Sequence, residues 1–150
     1  MSRGGKERFL SEAGDSCASK FERDVVNSLL RRGIAYEYEP MGYEYHTPVR
    51  GGRCFKCGSA DIRQKRIYTP DLLLIDSGRI VECKGYFPAP SRNKMSCFVK
   101  SNRGTLIVSF AFMADRKLSK ASHTRYSGWA TKLGCDFIIG TEIPESWASK

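Results

Sequence analysis

Two acids and a lysine near the middle of the chain are the residues best suited to chemistry. Asp71 follows a Thr-Pro pair and begins a short apolar run, and Glu82 and Lys84 stand eleven and thirteen residues later in an alternating segment. Because successive side chains of a strand point to opposite faces, Glu82 and Lys84 share one face, about 7 Å apart. Two carboxylates suit Mg²⁺, and a nearby lysine can orient or activate a water for attack on phosphorus.

The sequence around these residues decides between a metal site and a solvated surface hairpin. Both segments have the pattern of β-strands, and residues 76–79 between them have the composition of a hairpin loop. The proline before Asp71 holds the backbone extended at that point. An acid, acid and lysine at this spacing also occur on ordinary surface hairpins. The apolar character of both strands and the net charge of +9 favour a metal site that faces a polyanion.

Composition limits the class of protein. A chain of 150 residues with 41% hydrophobic content is expected to form one domain around a single core. The basic balance, with a pI near 9.4, indicates nucleic acid or another polyanion as partner, with solubility as the alternative explanation. No apolar run approaches the ~18 residues of a membrane span, and no signal-peptide pattern opens the chain, so a cytoplasmic protein is expected. Residues 1–18 are predicted to be a flexible basic arm.

The order of predicted elements indicates the fold class. A capping-box pattern from Ser19 to Glu22 begins a helix whose apolar stripe ends at Gly33. Residues 35–39 alternate between two faces and predict a strand, whereas residues 40–66 are expected to be irregular. The remaining elements are the two strands of the central motif, a helix within the basic segment 92–103, a buried strand over 105–112, a helix closed by Gly134 and a last strand over 135–139. This order predicts a mixed α/β sheet with helices on both sides.

Two of the six cysteines suggest a second metal. Cys83 and Cys135 lie in apolar runs and are expected to be buried thiols in a reducing compartment. Cys54 and Cys57, followed by a glycine, form half of a zinc knuckle. A structural zinc normally needs four ligands, no second pair follows, and His46 is the nearest candidate for a third. The alternative is two unpaired thiols in a loop.

Motifs spread over residues 19 to 147 form a combination that is more specific than any one of them. In the first half they are Glu22, Gly33-Ile34-x-Tyr36-Glu37-Tyr38-Glu39, Tyr68-Thr69-Pro70-Asp71 and Val81-Glu82-x-Lys84-Gly85. In the second half they are Lys117-Leu118, Ser122-x-Thr124-x-Tyr126, Gly134 and Ile143-Pro144-x-x-Trp147. In this combination the chain resembles the phage endonuclease I family, the Holliday-junction resolvases of T-odd coliphages and their relatives, which have the PD-(D/E)xK nuclease fold.

The resemblance implies a structure-selective endonuclease of branched DNA that works as an intertwined, element-swapped homodimer with Mg²⁺ or Mn²⁺, two ions per active site. Its metal ligands would be Asp71, Glu82, Glu22 and the backbone carbonyl of Cys83. Lys84 would position the attacking water or stabilise developing charge. Glu37 would be an additional active-site acid. From the residues alone, Glu22 equally fits helix capping, and Glu37 fits the solvent side of a half-buried strand.

A cationic surface would hold the phosphate backbones of the DNA without reading sequence, as a branch-selective enzyme requires. Its predicted members are Arg92, Lys94, Arg116, Lys117, Lys120 and Arg125, together with Arg3, Lys6 and Arg8 of the arm. Individually, each of these cations also fits an ordinary solvated surface position.

Within a nuclease domain of residues 19–150, the stretch at about 40–66 is longer than the family pattern and contains the cysteine pair. The family uses this region as the bridge along which protomers exchange elements. The hypothesis is that paired bridges join Cys54 and Cys57 of both subunits around one zinc, or that each pair recruits its own His46. Two other functions remain open: a transposase-associated or restriction-type endonuclease of linear duplex, and a zinc-stabilised DNA-binding protein without catalysis. The similarity of the C-terminal motifs argues against the first, and the complete acid-acid-lysine set argues against the second.

Overall fold

The computed structural model describes residues 7–59 and 62–150, which form a mixed α/β fold. The helices are α1 Lys20–Arg31, α2 Ala89–Ser101, α3 Tyr126–Leu133 and α4 Glu145–Ala148. The strands are β1 Phe9–Leu10, β2 Ser16–Cys17, β3 Tyr36–Tyr38, β4 Tyr43–Pro48, β5 Arg63–Tyr68, β6 Leu72–Leu74, β7 Arg79–Lys84, β8 Val108–Phe112 and β9 Phe137–Ile139. The predicted elements are present, although β8 begins three residues later than expected.

A five-stranded sheet in the order β3-β6-β7-β8-β9 forms the centre of the fold. Strands β3, β6 and β7 pair antiparallel, and β7, β8 and β9 pair parallel. The turn between β6 and β7 closes at Gly78, whose φ of 72° is accessible to glycine at little cost. Helices α2 and α3 make the crossovers that parallel pairing requires. The predicted mixed sheet is confirmed.

Strand β7 contributes to both faces of this sheet because its side chains alternate. Val81 and Cys83 pack into a cluster with α1, whereas Ile80 packs into a second cluster with α2 and α3. Glu82 and Lys84 have the same parity as Ile80, so they lie on the α2 side. Helices on both faces therefore place the charged end of β7 between two apolar layers.

Helix α1 begins as the capping box predicts. The Glu22 N–H donates to the Ser19 hydroxyl at 3.1 Å. Val25, Val26 and Leu29 are fully buried on its inner face. Such an N-cap stabilises a helix by about 1 kcal/mol, and the buried stripe anchors α1 against β6 and β7.

The segment expected to be a loose arm contains a short antiparallel pair, β1 with β2. Cys17 is fully buried in the α1 cluster, and the Arg8 guanidinium bonds the backbone and side chain of Ser16. The arm is therefore packed from about residue 8 onward, because burial of Cys17 holds β2 against α1. Residues 1–6, with Arg3 and Lys6, lie outside the described part of the chain.

The prediction that residues 40–66 are irregular is wrong for two segments, because β4 and β5 form an antiparallel hairpin from Tyr43–Tyr68 to Pro48–Arg63. Tyr45 on β4 is buried and meets the ring of Phe98 edge-on, with centroids 6.0 Å apart. At the end of α2, the Asn102 amide donates to the Glu44 carbonyl at 3.0 Å. Strand β5 is almost entirely polar and exposed, so backbone pairing holds it and no hydrophobic pattern signals it.

The cysteines predicted to be buried are buried. Burial raises the pKa of Cys135 to about 11 and the pKa of the Cys83 thiol well above its ordinary value. Both thiols therefore stay protonated at neutral pH. Within residues 7–59 and 62–150, no helix is both long enough and apolar enough to cross a lipid bilayer.

Candidate active site

Asp71 and Glu82 meet where β6 begins beside β7. Pairing of Leu72 with Val81 places Asp71 opposite Glu82. The Asp71 N–H donates to Glu82 Oε1 at 3.1 Å, and the Cys83 N–H donates to Asp71 Oδ2 at 2.8 Å. Each carboxylate is thus held by a backbone amide of the neighbouring strand, which fixes the two acids side by side.

Lys84 completes the group from the same face of β7. Its Nζ lies 3.2 Å from Glu82 Oε2, and the Glu82 side chain is fully buried. Burial alone would lower the pKa of Lys84, but the carboxylates of Glu82 and Asp71 outweigh it and raise that pKa. The side chain is therefore an ammonium ion that donates hydrogen bonds and carries positive charge.

Two tyrosines, which the sequence did not assign to the site, bond its acids. The Tyr68 hydroxyl donates to Glu82 Oε2 at 2.8 Å, and the Tyr38 hydroxyl donates to Glu22 Oε2 at 2.8 Å. Burial and these acidic neighbours raise the pKa of both phenols. Both hydroxyls are therefore permanent donors. Tyr68 is the first residue of the motif that ends in Asp71, but nothing in the sequence shows that its hydroxyl reaches Glu82.

Glu22 lies in the first turn of α1 and is 9% exposed. Its Oε2 also accepts from the Ala18 N–H at 3.3 Å, in addition to the Tyr38 hydroxyl. Its negative charge acts on Asp71, where it adds to the effects of burial and Glu82 in raising the pKa. The structure thus brings Glu22 near the pair, while its amide also serves the capping box.

Glu37 is not brought to this group. It lies on β3 opposite Leu73 of β6. Two residues further along the chain, the Glu39 N–H donates to the Asp71 carbonyl. The Glu37 side chain is exposed, and no hydrogen bond or ion pair among the described residues joins it to Asp71 or Glu82. In this chain Glu37 therefore occupies the solvent side of a half-buried strand.

The charge of the site suits a divalent cation. Burial and the adjacent Glu82 raise the pKa of Asp71 well above its ordinary value, because one ammonium does not balance the surrounding carboxylates. Mg²⁺ is usually held by one or two carboxylates together with waters and phosphate oxygens. Asp71 and Glu82 provide that pair. In residues 7–59 and 62–150, no three His, Cys, Asp or Glu side chains form a group that could hold one ion.

The backbone oxygen predicted as a further ligand lies on the same side of β7 as Asp71. The N–H and C=O of one strand residue point to the same side of the strand. The Cys83 N–H points at Asp71, so the Cys83 carbonyl faces that carboxylate as well. The donor set therefore fits a hard cation such as Mg²⁺, with oxygen ligands from two side chains and one carbonyl.

Comparison with known proteins identifies the relatives of this chain. The family model for phage endonuclease I matches residues 5–150. The chain belongs to the phage endonuclease I family. It is 30% identical to endonuclease I of Escherichia phage T7 over 130 residues, which are 86% of this chain and 76% of the relative. It is 29% identical to endodeoxyribonuclease 1 of Enterobacteria phage T3 over 125 residues, or 83% and 72% of the two chains.

The cations assigned to DNA binding in this family member differ in their surroundings. Arg92 is half-buried and donates to the Phe87 carbonyl at 2.7 Å, so part of its guanidinium ties α2 to the preceding loop. Arg125 donates to the Asp115 carbonyl at 2.8 Å. Lys94 is exposed, with its Nζ 4.7 Å from the ring centroid of Tyr68. The others, Arg116, Lys117 and Lys120, are exposed around the loop before α3.

The hairpin of this family member carries further cations that were not assigned to a site. They are exposed along β4, β5 and their connecting loop: Arg50, Arg53, Lys56, Lys65 and Arg66. Lys65 pairs with Glu44 at 2.8 Å, so part of this charge is balanced locally. A groove of about 580 Å³ between the hairpin and α2 is lined in part by Arg50, Arg66 and Lys94. The cationic surface therefore extends onto the hairpin.

His46 is separated from the cysteine pair. It stands on β4 opposite Lys65, and its N–H donates to the Ser101 hydroxyl at 3.0 Å. Cys54 and Cys57 lie beyond the end of the hairpin ladder, in the loop that follows. The three residues do not form one group in the structure.

Proposed function

We propose that this protein is a Mg²⁺-dependent endodeoxyribonuclease that cuts branched DNA such as Holliday junctions in the host-cell cytoplasm. The observation that carries the proposal is the buried pair Asp71–Glu82, held by backbone amides and joined by the Lys84 ammonium, in a chain of net charge +9. Both named relatives are endonucleases by name. This arrangement supports a site of the PD-(D/E)xK type.

In this proposal Asp71, Glu82 and the Cys83 carbonyl hold the ion. A bound divalent ion supplies Lewis-acid neutralisation and a water that loses its proton more easily. A second ion would need a further carboxylate. Glu22 is the candidate for this ligand, since its charge acts on Asp71. Mn²⁺ would serve the same oxygen ligands.

The protein's own groups have distinct tasks. Burial alone would lower the pKa of Lys84, but the carboxylates of Glu82 and Asp71 raise it, so the side chain offers an ammonium ion to the site. In this proposal the ammonium orients the attacking water or stabilises the negative charge that builds on the phosphate oxygens. Tyr68 keeps Glu82 in one orientation by donating to Oε2. The phenol thereby leaves the ligand geometry defined before substrate arrives.

The basic surface and the family support the proposed substrate and assembly. Exposed cations such as Lys94, Arg116 and Lys117 would contact phosphates, which positions DNA without reading its bases. Resolution of a four-way junction needs two nicks in symmetry-related strands. An element-swapped homodimer would present two active sites at a fixed separation, as this requires.

The deciding experiment compares a four-way junction with a linear duplex of matching sequence, each with Mg²⁺ or EDTA. Paired nicks on the junction alone, in Mg²⁺ alone, are the expected result. Glu82→Gln should abolish them, and Glu145→Gln, at an exposed position on α4, should not. Equal cutting of both substrates would indicate a linear-duplex endonuclease, and absence of cutting would leave DNA binding alone.

A further inference from the structure

The loop that connects β4 to β5 contains a built turn around two thiols. The Val49 N–H donates to the Ile62 carbonyl at 2.8 Å and closes the hairpin ladder, so Cys54 and Cys57 lie beyond it. Cys57 is exposed and Cys54 is half-buried. Neither thiol belongs to the hydrophobic clusters or to the acid site.

Backbone hydrogen bonds close this turn around Cys54. The Gly58 N–H donates to the Cys54 carbonyl at 2.8 Å, and the Cys54 N–H donates to the Ser59 carbonyl at 2.9 Å. Gly58 has a φ of 69°, which a side chain would disfavour. A turn closed in this way holds both cysteines at the hairpin tip with the C-x-x-C spacing of half a zinc knuckle.

The described residues of one chain supply only this half of a zinc site. Structural zinc takes four ligands in a tetrahedron. Elsewhere in the described chain, three thiols are buried in the core and Cys97 is on α2, while His46 is held on β4. No group of three candidate ligands forms within residues 7–59 and 62–150. Among the described residues no further ligands join the pair, so a second molecule is the source of the other two ligands that we consider.

Charge and exposure at the tip favour a second copy of this chain as that molecule. Arg53 and Lys56 each precede one of the cysteines, and without zinc they would repel the same residues of a second tip. When zinc is bound, the ion and its four thiolates together carry a net charge of about −2, and the cations of both tips would balance that charge. Phe55 stands wholly exposed between the two cysteines, so a second tip would also give it an apolar partner.

We propose that Cys54 and Cys57 of two chains bind one structural zinc ion, with all four ligands thiolate sulfurs. Binding displaces the thiol protons to solvent, and no redox change occurs. The zinc lies outside the acid site and takes no part in hydrolysis. This inference is independent of the proposed nuclease activity, since it concerns only the hairpin tip.

Metal content of the full-length protein, purified without chelators under reducing conditions, tests the stoichiometry. One ion between two chains gives about 0.5 zinc per chain. The Cys54→Ser and Cys57→Ser variants should each lose it, and the matched control Cys97→Ser, at a half-buried thiol on α2, should retain it. About one zinc per chain, or none, in the wild type would overturn the proposal. Loss of zinc from Cys97→Ser but not from the Cys54→Ser and Cys57→Ser variants would also overturn it.

The ligand set is tested by replacing zinc with Co²⁺, whose absorption distinguishes four thiolates from two. A tetrathiolate spectrum is expected, and a spectrum with two nitrogen or oxygen ligands would overturn the proposal. Thermal unfolding in the metal-free state checks that Cys54→Ser still folds, as an exposed loop position should. Junction cleavage is measured separately, so inactive protein with 0.5 zinc per chain would contradict only the proposed function.

Discussion

Replacing Tyr68 by phenylalanine isolates the hydrogen bond that orients Glu82. The change removes only the hydroxyl that donates to Glu82 Oε2 at 2.8 Å, and the ring keeps its edge contact with Phe98 at 5.2 Å. A hydrogen bond to a charged group contributes about 1.5–3 kcal/mol. Glu82 is fully buried, so no water replaces the lost donor. We expect the free energy of unfolding to fall by about 2 kcal/mol.

That loss corresponds to a fall in Tm of about 4–8 °C for a domain of this size. Urea or thermal unfolding in EDTA measures it without contribution from bound metal. Because the phenol orients a metal ligand, the apparent Mg²⁺ affinity or nicking rate should also fall, by about 10–100-fold. Tyr86→Phe is the matched control, since Tyr86 is 77% exposed. If both variants unfold within about 0.5 kcal/mol of the wild type, the assigned role of the Tyr68 hydroxyl is refuted.

Three further predictions test other parts of the site and fold. Asp71→Asn should abolish nicking yet raise Tm in EDTA at neutral pH. The pKa of Asp71 in the folded state is raised above its unfolded value of about 3.9, so stability is lost as the pH rises through the folded-state pKa. Asparagine does not ionise and therefore avoids this loss. An unchanged or lower Tm would contradict that reasoning. Glu22→Gln should lower the nicking rate by at least about tenfold, which corresponds to 1.4 kcal/mol in the activation free energy. Glu37→Gln should lower that rate by less. Equal losses in the two variants would show that Glu37 works in the site of an assembled dimer. Arg79→Ala should lower the free energy of unfolding, measured by urea titration, by about 2 kcal/mol. The reason is that the largely buried Arg79 guanidinium bonds the Ser109 hydroxyl and stacks on Trp147. Arg116→Ala, at an exposed position, should change the free energy of unfolding little.

Local spacing was sufficient to predict the parts of the site that lie on one element or one turn. Glu82 and Lys84 share a face because strands have a period of two, and Glu22 begins a helix because the cap lies three residues before it. The pairing of β6 with β7 was also predictable, since a short turn joins them. Asp71 therefore lies beside Glu82 where the sequence placed it.

Contacts between distant segments were beyond the sequence pattern. The hydroxyl of Tyr68 reaches Glu82 from β5, a strand outside the five-stranded sheet, and Arg92 turns inward to a carbonyl that no spacing reveals. Strand β5 was missed because its side chains are solvated and its stability comes from the β4 backbone. Tyr43 and Tyr45 carry the alternating signal for β4, but the prolines and glycines around them obscured it.

The alternation along β7 has a consequence for how this protein can misfold. A slip of one residue in its pairing would turn Glu82 and Lys84 into the α1 cluster and Val81 towards the α2 cluster, since a strand's faces exchange with each step. Glu82 would then lose the Tyr68 hydroxyl, and burying the two charges in the α1 cluster costs several kcal/mol per ion, so the slipped pairing is strongly disfavoured. Every molecule that folds therefore also has its acids and lysine in the arrangement of the candidate active site. The nicking activity regained during refolding should therefore follow the recovery of β-structure point for point.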